Sequence, residues 1–235
     1  MAHALYLNCR ISYLLITSKG SIMKTAKLPS QIKSKQRVAD HGEVFTAKRE
    51  VNTMVDLVEP LASSITATVL EPACGEGVFL IEVLNRRLET LKAFGFSGYW
   101  LQWQILRAVS SLYGVDIQAD NVAITRQNLI DTCRTWMIDN GEGITQGFVK
   151  ALAEIVKQNI IAGDTLAAKT IAGRQLAFSE WSFEKNGVIS RMEYSYEELL
   201  ACGGESSKKH RKYSYHWMEH TEALNPDMGV ALIER

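Results

Sequence analysis

Apolar positions along the chain change period several times, and each change predicts an element. Val51, Met54, Val55 and Val58 recur at helical spacing and predict a helix over 51–58. Thr68, Val69 and Leu70 form a short apolar run that suits an interior strand. From 78 to 92, Leu80, Val83, Leu84, Leu88 and Leu91 draw a single stripe, expected to pack on a sheet. Gly95 and Gly98 close that helix. A second helix is predicted over 99–111, with Leu101, Ile105, Leu106 and Val109 inward and Trp100 and Trp103 also packed. A strand follows at 112–117, then a helix capped by Asp120-Asn121 and running through Val122, Ile124 and Leu129. Residues 131–157 read as mostly helical, with a break at 140–143, and lead to a strand at 159–162. Residues 176–183 and 188–196 read as two strands of a hairpin turning at Lys185-Asn186-Gly187-Val188.

Strands alternating with helices predict an α/β fold with a mainly parallel sheet, ending in a C-terminal hairpin and a short appendage. The expected division is a basic, poorly ordered extension over 1–36, a cofactor-binding domain over 37–200 and an appendage over 201–235. With 235 residues, 46% hydrophobic and 22% charged, the chain has the make-up of a globular protein with one ample domain. Its formal net charge of zero argues against an extended basic face, so any grip on nucleic acid is local or supplied by a partner. Cys9, Cys74, Cys133 and Cys202 lie far apart, which argues against a zinc site or a disulfide scaffold and suits a reducing cytoplasm. His216 and His220 stand four apart without a third ligand, so no metal is expected.

The first 21 residues are apolar but interrupted by Asn8, Cys9, Arg10 and Ser12, so neither a membrane span nor a signal peptide is expected. Residues before Met23 are expected to be dispensable. Lys24, Lys27, Lys33, Lys35 and Arg37 make a basic run read as solvated.

Chemistry enters at Glu71-Pro72-Ala73-Cys74-Gly75-Glu76-Gly77-Val78-Phe79-Leu80. Gly75 and Gly77 permit positive φ and let a ligand approach the backbone, and the following helix turns free N–H groups toward that turn. This is a nucleotide-type site at the carboxyl end of a strand. Glu71 makes it more specific. An acid at the strand end fits a ligand with a cationic group and no phosphate, and S-adenosylmethionine, with its sulfonium and ammonium, is such a ligand. Asp116, ending the next strand, offers two acceptor oxygens to a ribose diol.

The stretch from Glu71 to Leu80 resembles motif I of the amino-methyltransferases of restriction-modification systems, written D/E-P-A-C-G-S/T-G-x-F-L. Three further stretches extend the resemblance from about residue 41 to 166. Tyr113-Gly114-Val115-Asp116-Ile117-Gln118 is similar to motif II, which implies that Asp116 holds the ribose and Ile117 flanks the adenine. Gly163-Asp164-Thr165-Leu166 is similar to motif III, which implies that Asp164 accepts from the adenine amino group. His41-Gly42-Glu43-Val44-Phe45-Thr46 resembles motif X, with Ala47 where the family has proline. This similarity implies that Phe45 packs near the cofactor and that Thr46 helps hold its methionine end. The motif order resembles that of the gamma-type adenine-specific DNA methyltransferases. The resemblance thus implies a Rossmann-like fold and a cofactor site of Phe45, Thr46, Glu71, Pro72, Ala73, Cys74, Gly75, Glu76, Gly77, Phe79, Asp116, Ile117, Asp164 and Thr165. It also implies methyl transfer from S-adenosylmethionine to the exocyclic amine of adenine in DNA.

That family places a polar-Pro-Pro-aromatic loop at the end of its fourth strand, where it aligns the target amine and stacks on the flipped base. Here Leu176–Phe183 stands at the expected distance with neither proline, so Ser179, Glu180 and Trp181 are the candidates for a degenerate catalytic loop. Asn225-Pro226 reads as a turn. The alternative expectation is a subunit of a restriction-modification system that binds cofactor or DNA without catalysis. Methylation of RNA or of a protein glutamine uses similar motifs and stays open. Cations and aromatics mix over 208–217, the best local nucleic-acid patch, although a solvated linker is the favoured reading. Sequence choice would come from that segment or from a separate specificity or restriction subunit.

Overall fold

A computed structural model describes residues 46–184 and 187–196, together with two backbone strands at 212–216 and 231–234. Phe45, the residues before Met23, the basic run, residues 208–211 and 217, and Asn225-Pro226 lie outside the described residues.

Four strands form the first sheet, in the order β1 (Val69–Glu71), β2 (Leu112–Asp116), β3 (Ile160–Asp164), β4 (Lys169–Thr170). The first three are parallel and β4 returns antiparallel. Parallel strands need helical crossovers. These are α2 (Val78–Ala93) and α3 (Gly98–Ser110) between β1 and β2, and α4 (Ala119–Asp139) and α5 (Gln146–Asn159) between β2 and β3. A shorter helix, α1 (Lys48–Asp56), precedes them and buries Val51 and Val55. The chain is therefore a mixed α/β protein with a mostly parallel central sheet.

The apolar stripe foreseen on α2 is the one that is buried: Leu80, Val83, Leu84, Leu88 and Leu91 join Leu101, Ile105, Leu106 and Val109 of α3 in one core. Trp103 belongs to that core, but Trp100 is 60% exposed, which corrects its reading as a packed residue. Arg87 sits among the leucines, fully buried. Cysteines 74 and 133 are buried free thiols.

A second, antiparallel sheet runs β5 (Ala177–Phe183), β6 (Val188–Ser195), β7 (Lys212–His216), β8 (Ala231–Glu234). The expected hairpin is β5–β6, paired from Ala177↔Ser195 to Phe183↔Ile189. Both described strands of 201–235, the expected appendage, pair in register into this same sheet.

Leu176 and Phe178 pack with Leu70, Tyr113 and Val115 and so bind the second sheet to the first. The Tyr113 hydroxyl donates to the Ser179 carbonyl at 2.5 Å, and the Trp181 indole N–H donates to Asn159 Oδ1 at 2.8 Å. Asn159 also donates to the Ser110 and Leu112 carbonyls, so one buried amide ties α3, β2 and β5 to the start of β3. Among the described residues no helix is long and apolar enough to cross a membrane.

Candidate functional site

Parallel pairing puts the carboxyl ends of β1, β2 and β3 on one edge of the sheet. The acids Glu71, Asp116 and Asp164 are the last residues of those strands. The turn after β1 lies across this edge. Cys74 N–H donates to the Val115 carbonyl at 2.9 Å, and the Gly75 N–H donates to Asp116 Oδ2 at 2.8 Å. From the loop after β3, Thr165 Oγ1 donates to the Pro72 carbonyl at 2.9 Å. Three stretches far apart in sequence thus meet around Pro72–Gly75, as the spacing of the motifs suggests.

Each acid has its own surroundings. Glu71 is 8% exposed; Ala73 N–H bonds to its carboxylate, while Oε2 is buried with no hydrogen-bond partner. Burial pushes its carboxyl up to about 7, against the smaller downward pull of the Ala73 N–H. Asp116 is buried and well supplied with donors: Oδ1 accepts from Gln118 N–H at 2.8 Å and from Asn121 Nδ2 at 3.4 Å, while Oδ2 holds Gly75. Asp164 Oδ1 accepts from its own loop, the N–H groups of Leu166 and Ala167, at 2.8 and 3.0 Å. Burial first, then the Asp116 and Glu71 carboxylates, push the Cys74 thiol up, which places both acids electrostatically close to Cys74. That thiol is protonated at neutral pH and is no nucleophile.

Ile117, directly after Asp116, and Leu166, two residues after Asp164, are apolar yet 51% and 100% exposed. Thr46 and Ala47 lie half-buried just before α1, with Ala47 as its N-cap in extended conformation. Asp120-Asn121 do not cap α4. Its N-cap is Gln118, without a side-chain cap, and Asn121 turns its amide to Asp116 instead.

Glycine is required at 77. Its φ of +83° is left-handed, and a Cβ there would stand 2.6 Å from Thr125 Cγ2. Gly77→Ala is expected to lose roughly 1–3 kcal/mol from strain and overpacking, seen as a lower urea midpoint at unchanged slope.

Ser179, Glu180 and Trp181, the candidates for a degenerate catalytic loop, are strand residues. All three lie inside β5, paired with Glu193, Met192 and Arg191. Ser179 is buried, with its Oγ against Arg191 at 3.1 Å, and Trp181 is anchored on Asn159. Asn159 precedes β3, whereas Asp164 ends it. Five strand residues, ~16 Å, therefore separate Trp181's anchor from the acidic edge. β5 runs down the sheet away from that edge, from Leu176 near Gly163 to Phe183 against the Trp103 ring. The hairpin read over 176–183 and 188–196 is therefore the arrangement these residues adopt.

Thr125 and Asn128 of α4 were also missed. Their side chains donate to the Gly75 and Glu76 carbonyls at 2.7 and 3.0 Å. Their signal was faint: two polar residues three apart, on the helix face that meets the turn. Among the described residues no group of three or more His, Cys, Asp or Glu is arranged to hold a metal ion. Curated proteins and solved structures give no match to the chain. Residues 32–135, which contain α1, β1, the glycine turn, α2, α3, β2 and most of α4, match the family model of the N-6 DNA methylases.

Proposed function

We propose that the chain binds S-adenosylmethionine at the acidic edge of its parallel sheet and serves the methylation of adenine N6 in DNA, as the gamma-type enzymes of restriction-modification systems do. The observation that carries the reading is Glu71 Oε2, a buried acceptor without a partner inside the segment matched by the N-6 DNA methylase family. Burying a lone carboxylate is costly unless a donor or a cation completes it. A cationic adenosine derivative brings that charge and carries no phosphate to repel the three acids. Glu71 would face its positive end, Asp116 its ribose, and Asp164, Ile117 and Thr165 its adenine. Pro72 to Gly77 and Phe79 would shape the floor, and Phe45 and Thr46 would close over the methionine end. Bound there, the cofactor supplies an electrophilic methyl group, and the chain supplies position and charge complementarity. This is a Rossmann-like use of the strand ends, and it belongs in the cytoplasm, beside DNA.

The strand at Ser179–Trp181 keeps a second reading open, in which this chain binds cofactor and a specificity or restriction subunit contributes the groups that orient the base. Equilibrium dialysis with methyl-labelled S-adenosylmethionine tests the shared step: binding at micromolar to submillimolar cofactor is expected, and none at millimolar overturns both readings. Transfer of label to mixed-sequence DNA separates them. Label on adenine N6 with the chain alone supports the first reading; label only when the products of neighbouring genes are added supports the second.

A further inference from the structure

We infer that Thr125 and Asn128 are positioning residues for the cofactor turn, acting through the Gly75 and Glu76 carbonyls; this rests on the cofactor reading above and extends it. The turn between β1 and α2 has little side chain of its own to fix it, having glycine at 75 and 77. The β2–α4 unit fixes it from outside. Asp116, ending β2, takes the Gly75 N–H; Thr125 donates to the Gly75 carbonyl; Asn128, one helical turn further along α4, donates to the Glu76 carbonyl. Thr125 is fully buried, and its γ-methyl occupies the space that a side chain at 77 would need.

Two consecutive peptide planes are thereby locked. In a trans peptide the N–H points opposite to the C=O. With the Gly75 carbonyl turned onto α4, the Glu76 N–H on the other edge of that plane is turned away from α4. With the Glu76 carbonyl also on α4, the Gly77 N–H is directed to the Cys74 carbonyl, at 2.8 Å. Glu71 and Asp116 therefore meet a turn of one fixed shape. A turn free to flip these two peptides would present carbonyl oxygens where the ligand expects donors, and would release the Gly77 N–H from the Cys74 carbonyl.

The test compares Thr125→Val, which keeps shape and removes the hydroxyl, with Thr125→Ser, which keeps the hydroxyl, with Asn128→Ala, and with Thr90→Val. Thr90 makes the same kind of bond, to the Arg86 carbonyl within α2, and serves as the control. Dialysis with labelled S-adenosylmethionine should show Thr125→Val and Asn128→Ala weakened about tenfold, Thr125→Ser within about threefold of wild type, and Thr90→Val unchanged, because the first two each remove the side-chain donor to a turn carbonyl and the Arg86 carbonyl lies outside the turn. Amide exchange at residues 75–77 should quicken in Thr125→Val and return to the wild-type rate in Thr125→Ser. If wild type binds and Thr125→Val and Asn128→Ala bind equally well, the positioning role is overturned and the cofactor reading stands. If wild type does not bind, both fall. Should Thr125→Val fail to fold, the partly exposed Asn128→Ala decides alone, by affinity and by exchange.

Discussion

Above neutral pH the Glu71→Gln protein is expected to be more stable than wild type, and to lack the wild-type decline in stability between about pH 5 and pH 7.5. Burial lifts the folded carboxyl from 4.5 to about 7. Between those values the folded chain holds a proton that the unfolded chain has released. The folded state binds more protons there, so stability falls as pH rises. Below about 4.5 both states are protonated and no penalty exists; above about 7 the full penalty stands, ~3 kcal/mol by the size of the shift. Glutamine does not titrate, so the variant's curve should be flat where wild type falls. Urea unfolding of both proteins from pH 4.5 to 8.5 checks this, and curves that stay parallel would remove Glu71 from its buried, partnerless position. The same substitution should cost at least tenfold in affinity for S-adenosylmethionine, because the acceptor for the cationic end is gone. In wild type near pH 7, binding that cation should expel the proton. Calorimetry in two buffers of different ionisation enthalpy should therefore report between zero and one proton released, and none in Glu71→Gln. A residue whose removal stabilises the fold and weakens binding is one held in place for its ligand.

The parts of this protein that were readable in its sequence are those fixed by local period. The stripe Leu80, Val83, Leu84, Leu88, Leu91 is a property of one helix, and it is buried where the spacing puts it. The acidic tips were readable for a related reason: Glu71, Asp116 and Asp164 each end a short apolar run, and parallel pairing then brings the three run ends to one edge without further instruction. What escaped was set by partners distant in the chain. The spelling of Ser179 to Trp181 fits a hairpin strand or a catalytic loop, and Tyr113, Arg191 and Asn159 hold it in the strand. Asp120-Asn121 look like a cap until Asp116, itself needed at the turn, draws in the Asn121 amide. Trp100 follows the helical spacing of its inward neighbours and still faces outward, since one helix has more apolar residues than its buried face can hold. Arg87 did leave a mark: it falls on the apolar stripe, four residues after Val83 and four before Leu91, where a solvated arginine has no place.

Replacing that arginine is expected to do the greatest damage to the fold. Arg87 is fully buried, and its guanidinium is spent on neutral acceptors. Nε reaches the Ala62 carbonyl at 3.4 Å, Nη2 the Ala67 carbonyl at 2.5 Å, and Nη1 both the Ala108 carbonyl at 2.7 Å and Ser111 Oγ at 2.8 Å. Burial pushes the group down to about 9, which still leaves it cationic at neutral pH. The charge is tolerated because every acceptor is a dipole turned toward it. From α2 this one side chain joins the segment that leads into β1 to the end of α3 and the entry to β2. It therefore holds the N-terminal ends of the two strands whose far ends carry Glu71 and Asp116. Arg87→Met keeps most of the apolar stem and removes the donor to four buried or part-buried acceptors, at a cost of roughly 3–5 kcal/mol. For a domain of this size that lowers Tm by about 10 °C or more. Arg87→Lys should recover only part of this, because a single ammonium cannot span acceptors lying in three directions. Thermal unfolding of the three proteins reads the stability. Dialysis at 10 °C, where the variants remain folded, should return a wild-type affinity for S-adenosylmethionine, since the cage lies at the opposite end of the strands from the turn. The expected pattern is thus the inverse of Glu71→Gln, a large loss of stability with binding intact. A fall in affinity as steep as the fall in Tm would mean that the N-terminal ends of β1 and β2 control the shape of the acidic edge, and that the two ends of this sheet are not independent.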